Sequence, residues 1–192
     1  TNELIESNVL SKLKINLISV QHPTIRGLKF ASWKDEIDYL VTHVERNHLL
    51  TSTALSLTTN TLLLYNYVES HGDILYADLK SKSDRPIFHI NGKVKGDIRE
   101  QIRQEFMKLN DGIIVASYGT FSLGINIPNI HNLIYASPFK SATRNFQTIG
   151  RILRYDQAKD VATVYDYVDI IPLSKTQNRT IKWGQKRMTR YM

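Results

Sequence analysis

The sequence predicts an α/β fold, a central and mainly parallel sheet with helices on both faces. Two observations carry this. Short apolar runs alternate with segments of helical period along most of the chain, as in strands joined by crossover helices. Two of the runs, TLLLYNY at 61–67 and IIVAS at 113–117, read as strands buried in the sheet, the second apolar on both faces. A length of 192 residues suits one domain with room for a proper core.

Lys14–Gln21 reads as the first strand, and Pro23 and Gly27 break the chain after it. Trp33, Ile37, Leu40, Val41 and Val44 recur at helical spacing and predict an inward-facing stripe, with a second helix continuing through Leu57. Thr61–Tyr67 is a strand. The polar segment 69–73 reads as a turn of ordinary turn chemistry, which assigns no role to His71, and a helix comes next at 73–82. Pro86–Ile90 is the next strand. Lys95–Leu109 is the next helix, with Ile98, Ile102, Phe106 and Leu109 inward. Ile113–Ser117 is placed at the sheet's centre. Leu133–Ala136 and Val161–Val168 are further strands, and Ala142–Leu153 is the helix between them.

Bulk composition narrows the function classes. No apolar run reaches membrane-spanning length, which predicts a soluble protein outside the membrane, and an intracellular, cytoplasmic location is expected (host cytoplasm if the source is viral). The chain starts at Thr1 without a signal-peptide pattern, which suggests an excised piece or a processed product. With no cysteine there is no disulfide framework or thiolate metal site. The six histidines lack ligand spacing, so no metal site is expected in this chain. Six of the seven net positive charges lie beyond residue 170. The division expected is therefore a folded unit over 1–170 and a basic extension over 171–192, and a basic tail suggests a polyanion nearby. If helical, the tail sets Arg179, Lys182, Lys186 and Arg190 in one stripe bordered by Trp183, with Ile181, Met188 and Tyr191 on the docking side. A solvated basic helix describes the same residues.

Three segments carry chemistry. In Gln147-Thr148-Ile149-Gly150-Arg151-Ile152-Leu153-Arg154, residues 147, 151 and 154 share one helical face. Two always-charged forks aimed together, with Gly150 sparing bulk between them, suit a terminal phosphate. An amphipathic helix with solvated arginines fits the octet too. Asn91-Gly92-Lys93 lies between a strand and a helix, where Gly92 permits close backbone approach and the helix start points amides outward. Ser117-Tyr118-Gly119-Thr120 opens a hydroxyl- and glycine-rich loop that ends Gly124-Ile125-Asn126-Ile127-Pro128. Such loops at the carboxyl ends of parallel strands bind ligands, and hydroxyls with amides suit sugar–phosphate contact.

These segments resemble, in order, signatures of superfamily 2 helicases. Q-x-x-G-R-x-x-R resembles the last motif, whose arginines serve as arginine fingers. Gly92, Arg99 and Phe106, seven residues apart in turn, are similar to the signature before motif V, with Asn91 where the family often has His and with Arg99 structural. Residues 116–128 resemble motif V, with Asn126 where the family more often has Asp. The resemblance covers about 14–170, and IIVASYGTFSLGI with QTIGRILR are most similar to the UvsW-type phage recombination helicases.

The resemblance implies a RecA-like domain, the second motor domain of an ATP-dependent helicase or translocase, acting on DNA ahead of RNA. It implies Arg151 and Arg154 as catalytic fingers, and Gln147, Gly124 and Asn126 facing the nucleotide. Asn91, Gly92, Lys93, Ser117, Tyr118, Gly119 and Thr120 would lie along the nucleic-acid backbone, and the tail adds Lys182 and Lys186. The chain has no G-x-x-x-x-G-K-[ST] and no Asp-Glu pair after a buried strand. ATP and Mg²⁺ would therefore be held mainly by a preceding RecA-like domain, the expected partner, and this chain alone would hydrolyse nothing. A non-catalytic nucleic-acid-binding or annealing module remains an alternative, and a sugar-nucleotide transferase half-domain ranks behind both.

Overall fold

The structure is a computed structural model and describes residues 10–122, 126–138, 142–154, 156, 159–173 and 178–191. Six strands form one sheet in the order β1-β6-β5-β2-β4-β3, and every pairing is parallel. They are β1 (Lys12–Gln21), β2 (Thr61–Tyr65), β3 (Ile87–Ile90), β4 (Ile113–Ser117), β5 (Asn132–Tyr135) and β6 (Val161–Ile170). The helices are α1 (Trp33–Thr42), α2 (Val44–Ser56), α3 (Asp73–Lys82), α4 (Gly96–Phe106), α5 (Tyr118–Ser122), α6 (Ala142–Ile152) and α7 (Arg179–Tyr191). The α/β architecture anticipated from the apolar runs, a parallel sheet with helices on both faces, is what the chain adopts.

Two apolar layers flank the sheet. On one face Leu50 of α2 and Leu75 and Leu79 of α3 pack against Leu63, Tyr65, Val115 and Ile134. On the other, Phe106 of α4, Phe121 of α5, and Ile149 and Ile152 of α6 pack against Leu62, Leu64, Ile114, Leu133 and Val164. Burying such side chains contributes roughly 1.5–3 kcal/mol each, which is why β2, β4 and β5 are buried end to end. β4 lies inside the sheet but next to its edge strand β3, while β5 and β2 occupy the middle.

Local chemistry explains where the elements depart from the apolar pattern. α1 opens on a capping box between Ser32 and Asp35 and stops at His43, whose ring accepts from Arg46 N and caps α2. That break turns Val44 out to 79% exposure, and Trp33 in the first turn is 54% exposed, so only Ile37, Leu40 and Val41 are buried. Ile98, expected inward on α4, is likewise exposed. β2 ends two residues early because the chain enters a wide π-helical turn, Val68–Gly72. Gly72 is required there, since an added Cβ would run into the Tyr65 ring. His71, read as part of an ordinary turn, is wholly buried. It bridges Ser137 Oγ at 2.9 Å and Asn47 Oδ1 at 3.1 Å, and burial is the main cause pushing its pKa down to about 3.

The carboxyl-terminal helix packs on the sheet. Glu36 of α1, fully buried, accepts from the backbone N–H of Arg179 at 2.9 Å and Thr180 at 2.7 Å, satisfying free donors at the start of α7. Gly184 lies so close to β6 that a Cβ would meet Val168 at 2.8 Å. The docking face runs Thr180, Gly184, Arg187, with Tyr191 donating to Asp166 at 2.9 Å. Met188, expected to dock, is 45% exposed.

Candidate functional site

β3 and β4 run in register from Ile87↔Ile113 to Ile90↔Ala116, so Asn91–Lys93 and Ser117–Thr120 emerge side by side at the carboxyl rim. Asn91 is buried, and its Oδ1 accepts from Lys93 N at 2.9 Å. Its side chain builds the turn and lifts Gly92 and Lys93 into solvent. The Lys93 ammonium lies 3.3 Å from Glu69 in an exposed pair of little energetic weight.

The neighbouring loop is organised inward. Ser117 Oγ and Thr120 Oγ1 share a hydrogen bond of 2.8 Å, and Thr120 N donates to Ser117 Oγ at 3.3 Å. Together they start α5, and both side chains are buried. Tyr118 is buried too, its ring stacked on Tyr135 with centroids 6.0 Å apart, and burial pushes its hydroxyl well above the ordinary range. Among these four, Gly119 is the exposed residue. The hydroxyls of Ser117 and Thr120 are therefore used in closing the turn, and the Tyr118 side chain is turned into the core.

α6 buries Thr148, Ile149 and Ile152, leaving Gln147 and Gly150 exposed and Arg151 half-buried. Arg151 Nη1 donates to Phe121 O at 3.3 Å, tying α6 to the end of α5. The helix stops at Ile152, so Arg154 is not on its face. It is in an isolated antiparallel bridge with Leu10, exposed, and no carboxylate among the described residues forms an ion pair with it. A Cβ at Gly150 would meet nothing within 4 Å, and the same holds at Gly92 and Gly119. Nothing in the described chain demands glycine at these points by crowding. Asn126 is exposed at the start of the segment leading to Pro128. Gly124 lies outside the described residues.

A buried lysine connects these pieces. Lys159 Nζ donates to Pro128 O and, at 2.7 Å, to Ile152 O. It carried no motif signal, standing alone after a loop. On α7 the stripe Arg179, Lys182, Lys186 and Arg190 is exposed as expected. Arg187 is not part of it, being buried against Asp166. Asp166 and Asp169, three apart in an otherwise apolar strand, were the available sign of buried pairing. Asp169 takes Arg46 Nε at 2.8 Å and His22 Nε2 at 2.9 Å. Among the described residues no group of three His, Asp or Glu side chains could hold a metal ion, and no helix is long and apolar enough to cross a membrane.

Residues 45–156 match the family model of the helicase conserved C-terminal domain. The full chain is 31% identical to the ATP-dependent DNA helicase uvsW of Enterobacteria phage T4, spanning 41% of that protein. The crystal structure of T4 UvsW superposes with a TM-score of 0.78 at 30% identity, over 95% of this chain and 40% of that one. The C-terminal domain of the DEAD-box protein Dbp5 has a TM-score of 0.61 at 12% identity, over 96% of this chain and 86% of that one, a likeness of fold. The chain thus spans about two-fifths of the length of its phage relative.

Proposed function

This chain belongs to the helicase C-terminal domain family of superfamily 2, and on that premise we propose that it is the second motor domain of an ATP-dependent helicase or translocase, acting on DNA ahead of RNA. The observation that carries the reading is at the end of α6. Gln147, Gly150 and Arg154 are exposed there and Arg151 is half-buried, and an added Cβ at Gly150 would meet nothing within 4 Å. A cationic surface with room for close approach suits a phosphate presented by a neighbouring lobe. The name of the phage relative, a DNA helicase, favours DNA.

The fit to ATP is one of contact rather than of a cradle. Arg151 and Arg154 would face the terminal phosphate, Gln147 would hydrogen-bond beside them, and the Asn126 amide would bond a ribose hydroxyl. Gly124 is expected in the same contact. Bound ATP supplies the phosphoryl bond whose hydrolysis powers movement, and Mg²⁺ would come with it on the preceding lobe. Arginine fingers stabilise charge that develops in such a transfer and are typically worth roughly 10³–10⁵ in rate. Coupling to nucleic acid would run through the rim of β3 and β4. There the exposed backbone at Gly92 and Gly119, with Lys93, would track a phosphate backbone, held in shape by Asn91, Ser117, Tyr118 and Thr120.

A second reading, a non-catalytic nucleic-acid-binding module, draws on the exposed stripe Arg179, Lys182, Lys186 and Arg190. One experiment separates the two: ATP hydrolysis by the 192-residue chain and by the complete polypeptide, each with and without DNA. The motor reading expects no hydrolysis by the chain and DNA-stimulated hydrolysis by the complete polypeptide. Metal-dependent hydrolysis by the chain alone, or none by the complete polypeptide, opposes it.

A further inference from the structure

Lys159 is 1% exposed, and a buried ammonium is costly unless its donors are used. Here they join two backbone carbonyls that no strand or helix pairing connects. Ile152 O is one of the unpaired carbonyls at the end of α6 and lies between Arg151 and Arg154. Pro128 O lies two residues beyond Asn126. One cation thus ties the arginine-bearing end of α6 to the end of the segment carrying Asn126, and a positive charge at a helix carboxyl terminus is favourable in itself. The lysine's own backbone is held as well: its carbonyl accepts from Ser11 Oγ at 3.1 Å, and Ser11 N donates to Leu153 O at 2.8 Å.

We propose that Lys159 is a positioning residue for ATP hydrolysis, setting the distance between the Arg151–Arg154 pair and the Asn126 segment without touching nucleotide itself. The proposal rests on the motor reading. It has no counterpart in the DNA-facing rim, whose turns are built by Asn91, Ser117 and Thr120. Loss of Lys159 should therefore separate turnover from binding. The ammonium is also within reach of titration: burial, opposed by Asp156, brings it down to about 8. His131, the other titratable group facing it, is lowered by its own burial and then by Lys159.

The test uses the complete polypeptide. Lys159→Met keeps the stem and removes the donors. A displacement on the order of 1 Å costs about a hundredfold in rate, so kcat for DNA-stimulated ATP hydrolysis should fall about ten- to a hundredfold. KM for ATP and DNA affinity should change less than about threefold on the same argument, and Lys159→Arg should recover most of the loss. Wild-type kcat in Lys159→Met overturns the proposal, as does a parallel loss of kcat and DNA affinity. If Lys159→Met does not fold, the wild-type pH profile decides. A decline in kcat through about pH 8, absent in Lys159→Arg, supports the proposal, and a flat profile overturns it. Arg154→Ala run alongside separates the two levels: wild-type turnover there removes the motor reading, whereas its loss with Lys159→Met active removes only the role of Lys159.

Discussion

Arg187 and Asp166 form a two-point ion pair, Nε to Oδ2 at 2.7 Å and Nη2 to Oδ1 at 2.8 Å, with both side chains almost wholly buried. The pair pins α7 to the middle of β6, and Tyr191 adds a third contact to the same carboxylate. A helix of strongly basic composition is thereby made part of the folded domain, with its remaining charges turned outward.

Removing one partner of such a pair leaves a buried charge uncompensated, which costs about 3–5 kcal/mol. Arg187→Met should lower unfolding stability by that amount in urea. Asp166→Leu combined with Arg187→Met should recover much of it, because two apolar side chains carry no desolvation cost. A loss below about 1 kcal/mol in the single variant, the range of exposed pairs, would show that the pair does not anchor the helix.

His71 makes the fold sensitive to acid. Its native pKa of about 3 is below the ordinary 6.5, so the unfolded chain takes up the proton first. The stability it contributes is complete above about pH 6.5 and is lost as pH falls toward 3. At about 1.4 kcal/mol per unit, wild type should lose on the order of 3 kcal/mol relative to His71→Gln between about pH 6.5 and 4. Parallel stability curves for the two proteins would contradict the assignment.

The exposed face of α7 should report on nucleic-acid contact through salt. If Lys182 and Lys186 each neutralise a phosphate, the slope of log K against log salt for DNA binding by the complete polypeptide should shrink by about 2 in Lys182→Ala/Lys186→Ala. An unchanged slope would leave the stripe as a solvated surface.

Most of the architecture was legible because a sheet covered on both faces writes continuous apolar runs. The run 113–117 matches β4 residue for residue. What periodicity could not convey were places where one side chain overrides it. His43 caps a helix and so turns Val44 outward, and Gly72 yields its space to Tyr65. The candidate site divided along the same line. Gly92, Lys93, Gly119, Gln147 and Arg154 lie exposed, as contact with an outside molecule requires. Spacing could not tell that the hydroxyls of Ser117 and Thr120 bond each other. Nor could it tell that Arg154 leaves the helix after Ile152. Lys159 and Glu36 act across more than a hundred residues or through backbone carbonyls, and no local pattern records such partners.

On the motor reading, the end of α6 presents Arg151 and Arg154 to a phosphate held by another lobe. The most direct measurement of this is steady-state, DNA-stimulated ATP hydrolysis by the complete polypeptide carrying Arg154→Ala, beside its DNA affinity. A fall in kcat of about 10³ or more, the weight of an arginine finger, is expected, with DNA affinity within about twofold of wild type. Turnover at the wild-type rate would contradict it.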